Sequence, residues 1–205
     1  MVRRHTLIAV LLATTMALSG CSVISGDGAT YVADDVGVDE SAVSETAFTL
    51  DRTEWQNRSR DVEIAGEERT INVSTKIEAY TWGENRGAFA ALATPTVAVA
   101  GQGMNPIGDM SNEEVVRRLQ SGLDGQGEIR NLERTGEYTV EAVGAKRNVT
   151  VFSATATREG KQRDVVIHVT KFSDGDDIVV GAGVHAEGAQ RVREDTGTMI
   201  TGIDR

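Results

Sequence analysis

Tyr138 to Ala186 reads YTVEAVGAKRNVTVFSATATREGKQRDVVIHVTKFSDGDDIVVGAGVHA, and this stretch decides the fold. Four runs rich in Val, Ile, Thr and aromatic residues, 138–143, 148–157, 162–172 and 178–186, are separated by Gly144 with Ala145, Glu159 with Gly160, and 173–177. Runs of this composition joined by connections this short predict strands that pair in succession, as an antiparallel meander.

Towards the amino terminus the same period-two reading continues. Trp55–Ile64 predicts a strand, Gly66 a turn, and Arg69–Trp82 a second strand with Ile71, Val73, Ile77 and Ala79 on one face and Asn72, Ser74, Lys76 and Glu78 on the other. Ala88–Ala100 predicts a third, bent or placed at an edge by Pro95. Ser111, Asn112, Glu113, Glu114 fits a capping box, so a helix is expected from there, with Val115, Leu119 and Leu123 on one stripe and Glu113–Arg117 and Glu114–Arg118 as exposed pairs. A last helix is predicted over Gln190–Ile203, presenting Val192, Met199, Ile200 and Ile203. Helices arriving among runs of strands predict an α+β domain: a twisted, mainly antiparallel sheet of six to seven strands with a mid-chain helix and a C-terminal helix packed on it. With aromatics at 4% of residues, a core of Val, Ile and Ala with few rings is expected.

The first 20 residues have the parts of a secretory signal: Arg3 and Arg4, an apolar run from Leu7 to Leu18, and small Ser19 and Gly20 before Cys21. That run is shorter than the ~20 residues that span a bilayer, so it predicts a processed segment, not a permanent helix. Leu18, Ser19, Gly20, Cys21 resembles the lipobox of prokaryotic lipoproteins, which implies lipid on the cysteine sulfur and cleavage before it. Two acyl chains on one glyceryl group would hold the protein stably at a bilayer without a spanning helix. Residues 21–45, rich in Ser, Gly, Asp and Ala, predict an acidic flexible tether, and 46–205 the folded domain. Extracytoplasmic location, anchored to the outer face of the membrane, follows from this reading; the export route does not.

The 205-residue chain has a formal net charge of -10, and without Arg3 and Arg4 its 31 acids face 19 bases. Dispersed acids with Arg favoured over Lys resemble the composition of proteins from extreme halophiles, where hydrated carboxylates preserve solubility. No basic patch exceeds the pairs Arg117, Arg118 and Lys146, Arg147, which excludes a nucleic-acid footprint. One cysteine excludes a disulfide framework and multi-cysteine metal centres. Asn57, Asn72 and Asn148 each begin an N-x-S/T sequon and are candidate glycosylation acceptors.

Asn105, Pro106, Ile107, Gly108, Asp109, Met110, Ser111, preceded by Thr94, Pro95 and 97–101, resembles a segment of a family of haloarchaeal lipoproteins for which no activity is established. The resemblance runs from the lipobox to the last helix and implies location and fold. Element order is also similar to PsbP-like and Mog1-like domains, which implies an accessory or interaction role. From the residues themselves, Asn105 to Ser111 predicts a strand-to-helix connection in which Pro and Gly fix the turn and Asp109 and Ser111 cap the helix. The alternative for Asn105, Gly108, Asp109 and Ser111 is reception of a small anion at the helix start.

No residue pattern specifies a reaction, and neither a cofactor nor a catalytic set is assigned. Gly181, Ala182, Gly183, Val184, His185, Ala186 matches a loose dinucleotide pattern, but too little chain follows for a nucleotide half-domain, so glycines allowing close approach are expected instead. Asp174, Gly175, Asp176, Asp177 lacks the spacing of a calcium loop and reads as an acidic hairpin tip. His168 and His185 share a face only in one register, and without a third ligand they make no metal site. The leading expectation is a non-catalytic binding or accessory module that contacts the membrane through Cys21 and another envelope component through its surface. The alternative is an extracytoplasmic enzyme or solute-binding protein, which a pocket gathering His168, His185 and acids would favour.

Overall fold

The computed structural model describes residues 23–25, 28–64, 66–83, 86–99, 102–103, 105–121, 128–158 and 160–205, so Cys21 and the signal-like segment lie outside it. In chain order the elements are β1 (Val23–Ser25), β2 (Gly28–Val32), β3 (Gly37–Val38), α1 (Glu40–Glu45), β4 (Phe48–Ile64), β5 (Glu67–Trp82), β6 (Gly87–Pro95), β7 (Ala98–Val99), β8 (Gln102–Gly103), α2 (Pro106–Asp109), α3 (Asn112–Ser121), β9 (Glu128–Ala142), β10 (Ala145–Arg158), β11 (Lys161–Asp174), β12 (Asp177–Ala186), α4 (Gln190–Thr201) and β13 (Ile203–Asp204). Nine strands build one sheet in the order β1-β2-β5-β6-β12-β11-β10-β9, with β4 paired along the other side of β5. Pairing is antiparallel throughout except for β2, which runs parallel to β5 along Thr70–Ser74, beyond the Lys76–Trp82 stretch that pairs with β6. The domain is thus α+β, and β9 to β12 form the expected meander.

Alternation along the strands sorts the core into two layers. On one face Phe48, Tyr80, Trp82, Phe89, Ala91, Ala93 and Val149 are buried with Val192, Met199 and Ile200 of α4 and Ile203. On the other, Leu92, Phe152, Val165, Ile167, Val169 and Val180 are buried with Val115 and Val116 of α3. The rings expected to be scarce are concentrated in the α4 layer. Asp195 of α4, 4% exposed, accepts from Trp82 Nε1 at 2.6 Å and from Ala47 N at 3.2 Å, and pairs with Arg191 at 3.0 Å. A buried carboxylate so satisfied fixes how the helix sits on the sheet.

The β12 glycines have the predicted reason. A methyl on Gly183 would run into Thr196 Cγ2, and one on Gly181 would stand 2.5 Å from Ile203 Cδ1. Gly183→Ala is expected to cost about 2 kcal/mol through forced displacement of α4, which urea unfolding at constant m-value would measure.

Several boundaries differ from the expectations. The tether expected over 21–45 is folded from Gly28 onward: β2 is in the sheet, Ala33, Val36 and Ala42 are buried, and Asp39 caps α1 by accepting from Ser41 N at 2.7 Å. Its apolar residues lack period, yet Ala33, Val36 and Ala42 find the core while Val32 stays exposed. The first long strand starts at Phe48, not Trp55, because a bulge at Asp51, between the pairs Leu50–Tyr80 and Arg52–Ala79, resets the alternation. The strand expected over Ala88–Ala100 ends at Pro95, after which Ala98–Val99 pairs with Gln102–Gly103 and, among the described residues, with no other strand; Ala100 lies outside the described residues. The turn between β9 and β10 places Val143 and Gly144 at φ 48° and 64°, a type I′ geometry that strains the β-branched residue.

Candidate functional site

β9 carries two bulges. Val151 faces Gly136 while Phe152 faces Arg134, leaving Thr135 extra; farther along, Ser153 faces Glu133 and Thr155 faces Arg130, with Asn131 at φ 53°. Bulges bend a strand and re-aim its side chains. Beside the Thr135 bulge, a cleft of about 430 Å³ opens between β9 and the start of α4, lined by Thr135, Gly136, Tyr138, His185, Gln190 and Arg193 among others. It continues into a recess of about 360 Å³ over His168, Glu194 and Gly197.

Two glycines keep this space open. A methyl at Gly136 or at Gly197 would meet nothing within 4 Å, unlike those at Gly181, Gly183 and Gly202. Gly197 lies inside α4, where glycine is less favourable than alanine by roughly 0.5–1 kcal/mol. Packing does not require it there.

Beneath the cleft runs a chain of three rings. His168 pairs with Gly183 and His185 with Val166, so the two imidazoles are diagonal neighbours on the α4 face. His185 Nδ1 lies 2.9 Å from the Ala186 carbonyl, which can only accept, so Nδ1 carries hydrogen. In the neutral ring Nε2 then accepts, and His168 Nε2, at 3.1 Å, donates to it. That leaves His168 Nδ1 to accept from the Tyr138 hydroxyl at 3.0 Å. The network thereby assigns both tautomers and the direction of the phenol proton.

Burial keeps the chain uncharged. His168 is 1% exposed, and desolvation, followed by His185 and Arg193, lowers its pKa to about 4. Burial also lowers that of His185, with the Ala186 carbonyl acting the other way and Arg193 reinforcing it. The Tyr138 phenol is pushed up to about 12 by burial, opposed by Arg193. Arg193 itself is exposed and has no ion pair among the described residues, although Arg191 holds Asp195, Glu194 accepts from Gln190 at 2.8 Å, and Glu137 pairs with Arg134.

The sequence-derived candidates fall elsewhere. Asn105 caps α2, its Oδ1 accepting from Ile107 N at 3.1 Å, and Ser111 forms the capping box with Glu114: Ser111 N donates to Glu114 Oε2 at 2.7 Å, and Glu114 N to Ser111 Oγ at 3.2 Å. Asp109 ends α2 and caps nothing among the described residues, while the Lys171 ammonium binds the carbonyls of Ile107, Gly108 and Met110. The anion alternative there is corrected: the protein's own Glu114 carboxylate occupies the helix start.

Asn57 and Asn72 lie opposite each other's sequon serines: Ser74 donates to Asn57 Oδ1 at 2.7 Å and Ser59 to Asn72 Oδ1 at 2.6 Å. Asn148, exposed on β10, accepts from Thr139 at 3.3 Å. Asp174 and Asp177 flank the β11–β12 turn, and Arg205 approaches both, so a guanidinium stands where a cation would. No group of three or more potential metal ligands occurs among the described residues.

Sequence reasoning singled out the two histidines but missed Tyr138, Arg193, Gly136 and Gly197, which come from separate elements. A glycine inside a predicted helix, Gly197, was the available signal. Among the described residues no helix is long and apolar enough to cross a membrane. No curated protein matches the chain. A family model for a domain of unknown function, DUF6517, matches residues 35–204, from just before β3 through β13, and the chain belongs to that family.

Proposed function

We propose that the chain is a lipid-anchored, non-catalytic module of the cell surface of an extreme halophile, and that it holds a small ligand in the cleft between β9 and α4. The observation that carries this reading is the pair Gly136 and Gly197 on the cleft walls, where an added methyl would meet nothing within 4 Å. A pocket bringing His168 and His185 under a rim that includes Glu187 and Glu194 favours ligand binding over a purely structural role. Binding is favoured over catalysis because both nitrogens of each imidazole are engaged inside the protein, so neither ring turns a free lone pair toward a substrate in the cleft. The lipobox at Leu18–Cys21 supports the anchor, and the acid excess supports the habitat.

Native mass spectrometry of the protein extracted from its own membranes at high salt tests both parts. The wild type should carry the increment of a two-chain lipid on Cys21 and a non-covalent small molecule; Gly136→Leu should lose the small molecule and keep its circular dichroism. An unmodified thiol would overturn the anchor, and a wild type without bound small molecule would overturn the cleft reading.

The accessory role also has a specific observation in its favour. β4 is an edge strand largely exposed on both faces between Arg52 and Glu63, and Leu50 and Trp55 on it are 52% and 46% exposed. Loss of a co-purifying envelope protein on Trp55→Glu would support that role, and unchanged co-purification would count against it.

A further inference from the structure

We propose that the ligand in this cleft carries a carboxylate gripped by Arg193, and that its binding is coupled to uptake of one proton by the Tyr138–His168–His185 chain. This rests on the cleft being a binding site and adds the chemistry of its occupant.

Charge comes first. In a protein with 31 acids and 21 bases, Arg193 lines the cleft with no ion pair among the described residues, so its guanidinium is free to meet an anion there. A planar guanidinium matches a carboxylate with two parallel hydrogen bonds. The same cleft is rimmed by Glu137, Glu187 and Glu194, which would repel a doubly charged phosphate more than a singly charged carboxylate.

Coupling follows from the direction of the hydrogen bonds. In the unliganded protein the Tyr138 O–H points inward to His168 Nδ1, and its phenol oxygen can only accept from the cleft. A carboxylate also only accepts, so it gains nothing from Tyr138 in that state. A proton arriving from solvent at His168 Nδ1 reverses the bond: Nδ1–H donates to the phenol oxygen, and the O–H is released to turn toward the cleft and donate to the carboxylate. Proton balance is simple. One proton moves from water to His168, Tyr138 stays a phenol, and the ligand stays ionised.

The charged and titratable groups around His168 agree with this coupling. Tyr138 and Glu137 come from β9, His185 from β12, Glu187 from the loop after it, and Arg193 and Glu194 from α4. β10 presents Val151 opposite His168, and β6 presents Phe89 opposite Gly183, neither titratable. Glu137 and Glu194 are already engaged by Arg134 and Gln190, and Arg193 is the cation whose field opposes protonation. Neutralising that cation with a bound anion favours the imidazolium.

The test is NMR titration of the His168 and His185 imidazole protons in the full-length protein freed of bound small molecules, at fixed ionic strength, with sodium acetate replacing chloride. Acetate should raise the His168 midpoint by about one pH unit, which by linkage is about tenfold tighter binding of the acetate anion below the midpoints than above them, the ionised fraction of acetate being counted at each pH because it titrates in the carboxylate range itself. Arg193→Gln should abolish acetate binding. Tyr138→Phe should retain acetate binding at neutral pH but lose most of its pH dependence, which a merely structural tyrosine would not do. Equal midpoints in acetate and chloride, an undiminished response in Arg193→Gln, or the same shift with inorganic phosphate would each overturn the proposal. A cleft ligand displaced by Gly136→Leu but lacking an acid group would sink the carboxylate and leave the cleft reading intact; an empty cleft would sink both.

Discussion

Between pH 7 and pH 4 the domain is expected to lose about 3 kcal/mol of stability through His168 alone. The folded pKa lies at about 4 against 6.5 for an exposed imidazole, chiefly because burial disfavours the charged ring. Above 6.5 the ring is neutral in both states and its contribution is complete. As pH falls through the window, the unfolded chain takes up a proton that the folded one refuses, so stability declines. Below about 4 the folded state is protonated too, and the decline from this residue stops. His185 is shifted the same way and adds to the slope. Asp39, Glu114 and Glu128, held below the usual carboxylate range by hydrogen bonds from Ser41, Ser111 and Arg130, act only at the acid end of the window. His168→Gln keeps an acceptor for Tyr138 and a donor for His185, and should flatten the profile. Urea unfolding of both proteins at pH 7 and 4.5 in high salt measures the difference; equal slopes would refute this account.

Arg205→Met is expected to destabilise the fold by about 3 kcal/mol. The Arg205 side chain is 10% exposed and its Nη2 lies 2.6 Å from Asp177 Oδ2, on a carboxylate 4% exposed that also accepts from Asp34 N at 2.8 Å. Asp34 and Asp174 stand farther from the guanidinium, at 3.5 and 3.7 Å. Removing the cation leaves Asp177 buried with one backbone donor, and an unpaired buried carboxylate is costly. Arg205 Nε and Nη1 have no hydrogen-bond partner among the described residues, so the pair is imperfectly satisfied. Arg205→Met with Asp177→Asn should therefore recover much of the loss. A double variant no more stable than Arg205→Met alone would show that the contact is not electrostatic.

The strands were legible wherever alternation ran unbroken, as in the four runs after Tyr138, because a half-buried face imposes its period directly on the sequence. Bulges were not legible. At Asp51 and Thr135 one extra residue shifts the pattern to the opposite face, and no local composition marks it. The stretch from Gly28 to Glu45 misled because Ala33, Val36 and Ala42 are buried singly, by contacts made far along the chain. The histidines were visible, but their meeting depended on the pairing of His168 with Gly183. The cleft needed both the Thr135 bulge and the seat of α4, which belong to tertiary structure alone.

The pairing of β1 with β2 decides how the molecule would stand. Val23, opposite Thr30, follows Cys21 by two residues, which reach at most about 7 Å. A lipid on that sulfur would hold β1 close to the headgroups. β2 takes the same side of β5 as β6, so β1 lies beyond the end of β6 and the anchored end of the sheet would stand between the borders β4 and β9, neither of which the lipid would hold directly.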